Sequence, residues 1–181
     1  MSDQRALQLP DWTITSSKRR EHIGRVVDLL NRWAGALQLD ERESRAWRDA
    51  GLWHDGLRDA DEAALRDMTG DHVRPCGMLH GPAAARRLER DGEPRHDVLE
   101  AIRWHTVGFA GWSRTGRALY MADFLEPGRS FMQADRAFLA EQVPLTFNAV
   151  FRQVVRMRIE WVLREGKGIA LETVALWNAV R

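Results

Sequence analysis

Ala-Gly-Leu-Trp-His-Asp, residues 50–55, is the stretch whose reading decides the fold. It closes a segment in which Ala46, Ala50, Trp53 and His54 recur at helical spacing. Asp40 and Glu43 stand ahead of that segment in the manner of a capping box, and Gly56 is placed to stop it. The pair His54-Asp55 therefore sits at the carboxyl end of a helix. Working outward, His22 lies upstream, while His80, His105 and Asp123 follow downstream, each in or beside a segment with helical periodicity. Inward-pointing imidazoles and carboxylates from several helices are how a metal site is built inside a helical bundle. The chemistry this suggests is metal-assisted hydrolysis of a phosphate ester or anhydride.

The rest of the chain reads as helices too. Ser16 or Ser17 can cap a first helix whose Ile23, Val26, Val27, Leu30 and Trp33 form one apolar stripe. His22 falls on that stripe, and Arg19, one turn earlier, points the same way. Residues 59–68 suggest a short helix, and His80-Gly81-Pro82 opens another that runs to about Arg90. Pro94 starts the next, on which Val98, Ile102 and His105 share a face. Ser113 can cap a helix carrying Leu119, Ala122, Asp123 and Glu126, ended by Pro127. A short segment, Phe131 to Gln142, precedes a long amphipathic helix from about Leu145 to Glu165 and a last helix near Leu171 to Val180. No segment alternates convincingly as a strand. The expected fold is all-α: an N-terminal tail or cover strap over residues 1–17, then one helical-bundle domain over 18–181.

Composition narrows the class. With 44% apolar and 29% charged residues, the chain has the make-up of a soluble globular protein. No apolar run approaches the roughly 20 residues that span a bilayer. Residues 1–17 lack the basic start and apolar stretch of a signal peptide, so a cytoplasmic location is expected, with no membrane partner. Cys76 is the single cysteine and cannot form an internal disulfide. A net charge of +1 gives no basic field of the kind that marks nucleic-acid binders, and no nucleic-acid partner is expected.

Each candidate ligand alone is weak, because a lone histidine on an apolar face is more often a hydrogen-bonded core residue. His72 and His96, each beside aspartate in polar sequence, are assigned to the surface. Asp123 is different. It interrupts Leu119-Tyr120-Met121-Ala122 and Phe124-Leu125, so its carboxylate lies in or beside the core and must have a partner. That partner is either an arginine, Arg19 or Arg129, or a cation shared with His22, His105 and His54-Asp55. Trp53 and Trp104 precede the two central histidines and are expected to pack beside the site. Trp112 is the candidate for stacking on a nucleobase.

Taken together, the chain resembles the HD-domain metal-dependent phosphohydrolases, and within them the YqeK-type symmetrical bis(5'-nucleosyl)-tetraphosphatases. The resemblance rests on RREHIGRV (19–26), AGLWHD (50–55), MLHGPAAA (78–85), AIRWHTVG (101–108), YMADFLEPGR (120–129) and TVALWN (173–178), and it covers residues 18–181. It implies a helical bundle with a dinuclear centre of divalent or mixed-valent ions, iron foremost, with manganese or zinc as alternatives. His22, His54, Asp55 and Asp123 would hold the first ion. His80 and His105 would hold the second, with Asp55 as bridge. The implied substrate is a dinucleoside polyphosphate, such as diadenosine tetraphosphate, cleaved to two ADP by a metal-activated hydroxide. Asp55 and Arg58 would be catalytic, and Arg19, Arg58, Gly81, Thr106 and Arg129 would contact substrate. Arg58 stands where such relatives usually carry lysine; a guanidinium keeps the charge but is a poor proton donor. The alternatives are an HD phosphohydrolase of nucleoside monophosphates or guanosine alarmones, a nucleotide-binding sensor without turnover, and histidines that merely satisfy the core. A nucleotide is the expected partner, with a homodimer left open.

Overall fold

The computed structural model describes residues 8–181 as eight α-helices with no strand among the described residues. Of the tail expected over residues 1–17, residues 1–7 lie outside the described residues. Residues 8–16 do act as a strap. Ile14 donates its N–H to the carbonyl of Gly56 (2.8 Å), and Asp59 donates back to Ile14 (3.3 Å). Trp12 lies against Gly56 so closely that a Cβ there would come within 2.6 Å of the indole ring. The strap thus covers the turn that follows His54-Asp55, and only glycine fits beneath it.

Helix α1 (Ser17–Ala36) starts where Ser16 accepts the N–H of Arg19, and α2 (Glu41–Trp53) where Asp40 accepts that of Glu43 at 2.8 Å. The apolar stripe of α1 is buried as its periodicity requires, with Ile23, Val26, Leu30 and Trp33 at most 1% exposed. Each such side chain contributes about 1.5–3 kcal/mol by leaving water. On α2 the buried tryptophan is Trp47. Trp53, expected on the inner face, is half-buried beneath the guanidinium of Arg95.

Helix α3 (Glu62–Thr69) is capped by Asp61 and ends on Gly70, whose φ of +64° suits glycine. A 3-10 turn at Cys76–Met78 leads into α4 (His80–Arg90). Helix α5 (His96–Trp104) starts two residues after Pro94, which was expected to open it, with Arg95 at the cap position. Ser113 precedes α6 (Arg114–Leu125) at the cap position, but its side chain makes no capping bond; Thr115 reaches Asp97 instead, at 2.9 Å.

Helix α6 is the spine. Residues Ala118 through Leu125 are all buried, and the helix packs against α1, α2, α5 and α7. A helix apolar all round belongs in a core, so Asp123 on it is a carboxylate delivered to the centre of the bundle.

The long run α7 (Gln133–Arg164) corrects the expected break before Leu145. It is helical on both sides of a kink at Thr146 (φ −140°, ψ 51°), with Pro144 inside. Proline has no N–H for the carbonyl four residues back, which is that of Ala140. The indole of Trp33 on α1 donates to that carbonyl at 2.7 Å and replaces the missing bond. The last helix is α8 (Leu171–Val180). No helix among the described residues is long and apolar enough to cross a membrane.

Candidate metal centre

Three histidines are oriented by the bonds of their outer ring nitrogens. His54 stands just past α2, with its Nδ1 2.7 Å from the carbonyl of Gly51. His105 stands just past α5, with its Nδ1 2.7 Å from the carbonyl of Ile102. A carbonyl only accepts, so in both rings Nδ1 carries the hydrogen and Nε2 offers a lone pair inward. His22 places Nδ1 3.1 Å from Glu126 Oε1. His22 Nε2 and His54 Nε2 are buried without a hydrogen-bond partner among the described residues. Buried, unsatisfied nitrogens aimed at carboxylates fit a cation.

Asp55 lies at the middle. Its Oδ2 is 3.6 Å from His22 Nε2 and 3.6 Å from His54 Nε2, and accepts from Arg19 at 2.7 Å. Its Oδ1 is 3.0 Å from His80 Nε2 and 3.4 Å from His105 Nε2, which are themselves 3.0 Å apart. Asp123 Oδ1 lies 3.2 Å from His22 Nε2 and accepts from Arg129 at 2.6 Å, while its Oδ2 faces Arg158 at 3.3 Å. Ligand atoms of His22, His54 and Asp123 lie within 4.8 Å of one another, as do those of His54, Asp55 and His105. Both sets could hold a metal ion, and they share His54.

The charges follow from these contacts. Burial would raise both aspartates, yet Asp55 is held well below the usual carboxylate range by His54, His105 and His80. Asp123 is likewise held low, by Arg129, His22 and Arg158. Burial lowers His54 to about 4, so it is neutral at pH 7. Burial also opposes charge on His22, but the carboxylates of Asp123 and Glu126 beside it raise it to about 9.

All six expected ligands are thus brought together, each no more than 6% exposed. Arg19, Arg58, Thr106 and Arg129 line a cavity of about 160 Å³ over Asp55, His80, His105 and Asp123. Gly81 is not among its lining residues. It marks the crossing of α4 and α5, where a Cβ would lie 2.7 Å from the carbonyl of Ile102 and 3.0 Å from His105 Nδ1. Its expected substrate contact is therefore replaced by a packing role behind His105. Trp112 is also not available to a nucleobase: it is 4% exposed, donates to the carbonyl of Glu100 at 3.0 Å and leans on Tyr120.

Three residues were given no role at the site by the sequence reading. Arg158 adds a cation to the cavity and lies over the Tyr120 ring. Glu126, 1% exposed, accepts from Arg25 at 2.6 Å and from the N–H of Gly128 at 2.7 Å besides facing His22. Arg136 holds the loop after α6 by donating to the carbonyls of Glu126, Arg129 and Phe131. Replacing Glu126 by glutamine should leave the fold intact but weaken metal affinity about 10- to 100-fold, the usual cost of losing a carboxylate behind a ligating histidine. Metal titration of the variant checks this, and an unchanged affinity would remove Glu126 from the site.

Residues 19–137 match the family model of the HD domain, and the chain belongs to that family. It is a metal-dependent phosphohydrolase. More narrowly, it is similar to the symmetrical bis(5'-nucleosyl)-tetraphosphatase of Bacillus subtilis (24% identical over 154 residues, 79% of this chain and 82% of that one). The same holds for the enzyme of that name from Halalkalibacterium halodurans (25% over 186 residues, 98% and 96%). Its counterpart in Staphylococcus aureus is 37% identical over 126 residues, 65% of this chain and 63% of that one. Among solved structures it is similar to one from Clostridium acetobutylicum described as a predicted HD superfamily hydrolase involved in NAD metabolism. That likeness has a TM-score of 0.77 at 26% identity and covers 91% of this chain and 89% of the other.

Proposed function

We propose that the enzyme hydrolyses dinucleoside polyphosphates and cleaves diadenosine tetraphosphate symmetrically into two molecules of ADP. The observation that carries this reading is the ring of Arg19, Arg58, Arg129 and Arg158 around the histidine-carboxylate cluster. Guanidinium groups bind phosphate oxygens in pairs, and this many suit a chain of phosphates better than a single one. The names of the three relatives agree with it.

The donor set supports two ions. His22, His54, Asp55 and Asp123 would hold one, and His80 and His105 would hold the other, with Asp55 near both because one of its oxygens faces His22 and His54 and the other faces His80 and His105. Mixed imidazole and carboxylate ligands suit iron, manganese or zinc, and of these the family resemblance favours iron. Cations bound there acidify water and neutralise phosphoryl oxygens. Arg58 and Arg129 brace the phosphates next to the scissile bond, Arg19 orients Asp55, and Thr106 contacts a phosphate oxygen beside His105. A guanidinium at position 58 stabilises a departing anion without giving it a proton. That fits an anhydride, whose leaving group is already a phosphate anion, better than an ester with an alkoxide leaving group.

Incubation of the metal-loaded protein with diadenosine tetraphosphate is expected to give ADP as the sole nucleotide product by anion-exchange chromatography. ATP plus AMP, or no turnover, overturns the reading. Nucleoside monophosphates, guanosine alarmones and NAD belong in the same panel, NAD because of the solved neighbour's description.

A further inference from the structure

The cavity over the metal centre, about 160 Å³, is smaller than the roughly 300–1,000 Å³ of sites that enclose a drug-sized ligand. A second cavity of about 500 Å³ adjoins it, and Arg19 and Arg129 line both. The second is bounded by the start of α1, through Ser16 and Lys18, and by the loop after α6, through Ser130 and Phe131. Two acidic residues also line it, but both are engaged. Asp59 accepts the N–H of Ser16 at 2.8 Å, and Glu126 is taken up by His22, Arg25 and Gly128. Lys18, Arg19, Arg25 and Arg129 outnumber these two carboxylates in its lining, so the charge it presents is positive.

Phe131 gives it a second property. The ring is 41% exposed, yet it is not loose: Phe124 meets it at 5.6 Å between ring centroids, and the Arg136 guanidinium lies 4.8 Å from its centroid. A braced aromatic surface next to cations is the pairing that receives a base together with its phosphates.

We propose that this cavity is a nucleoside subsite, in which the base stacks on Phe131 while Lys18, Arg19 and Arg129 lead its phosphates to the metal centre. The inference rests on the proposed function and places one half of the substrate. The test is calorimetric titration of the metal-loaded full chain with ADP and, separately, with inorganic pyrophosphate. Phe131→Ala should weaken ADP about tenfold, the scale of a lost base-aromatic stack. Phe131→Tyr should restore it, and pyrophosphate should bind all three proteins alike. Equal ADP affinity in wild type and Phe131→Ala overturns the subsite, as does an equal loss for pyrophosphate, which would mean a displaced loop. The substrate reading is decided apart from this, by whether wild type cleaves diadenosine tetraphosphate. An enzyme that fails to cleave it but loses ADP affinity on Phe131→Ala keeps the subsite and loses that substrate.

Discussion

Asp55→Ala is expected to bind less than the wild-type complement of metal and to lose turnover by about a thousandfold or more. Among the described residues the side chain is the one anion that faces both groups of histidines, with His80 at 3.0 Å from one oxygen and His22 and His54 at 3.6 Å from the other. Lewis-acid stabilisation of a phosphoryl oxygen is worth several kcal/mol, and each factor of ten in rate corresponds to about 1.4 kcal/mol. A thermal readout separates this from misfolding. Metal at a hundredfold excess over its dissociation constant stabilises wild type by about 2.7 kcal/mol. For a domain of this size that raises Tm by about 5–10 °C. The variant should melt cooperatively and show no such rise. Full metal content in Asp55→Ala would refute the bridging role.

The second large effect is on stability. Arg136 is 2% exposed and among the described residues pairs with no carboxylate; it donates to the carbonyls of Phe124 (2.8 Å), Arg129 (2.9 Å) and Phe131 (3.2 Å), and to that of Glu126. One side chain on α7 thereby gathers the whole loop that carries Glu126 and Arg129. Arg136→Met should destabilise by about 3–5 kcal/mol, since it leaves several carbonyls of the loop without their donor at about 1–3 kcal/mol for each that stays buried, and lower Tm by roughly 10 °C. Arg136→Lys should recover little, since an ammonium cannot span carbonyls that a planar guanidinium reaches at once. Differential scanning calorimetry measures both, and a methionine variant as stable as wild type would show that the loop holds itself.

Much of this was legible in the sequence because it depends on local rules. Ser16 and Asp40 cap the helices they were expected to cap, and the Ile23-to-Trp33 stripe is buried. The six candidate ligands could be picked out because ionisable groups on apolar faces are conspicuous, and all six are buried. What was missed depends on partners far away in the chain. Arg136 lies on a stripe with Ala140 and Val143, and Arg158 on one with Val150 and Val154. The first stripe stays hidden when Pro144 is taken as a boundary, and nothing near Pro144 announces that Trp33 replaces the lost bond. Gly81 was expected to contact substrate only by resemblance, whereas its small size serves the approach of α5. Trp112, flanked by glycine, looked exposed. Only the packing of Tyr120 against it shows why it is not.

The bonds that His54 and His105 make to the carbonyls of Gly51 and Ile102 have a further consequence. Each imidazole closes the last turn of the helix that bears it, so the same ring terminates a backbone element and faces the reaction centre. Fraying of either helix end would swing a ligand away, and a bound cation would in turn pin that end. If both rings hold a cation, retention of metal and integrity of the two helix termini would be coupled through the step where each helix stops.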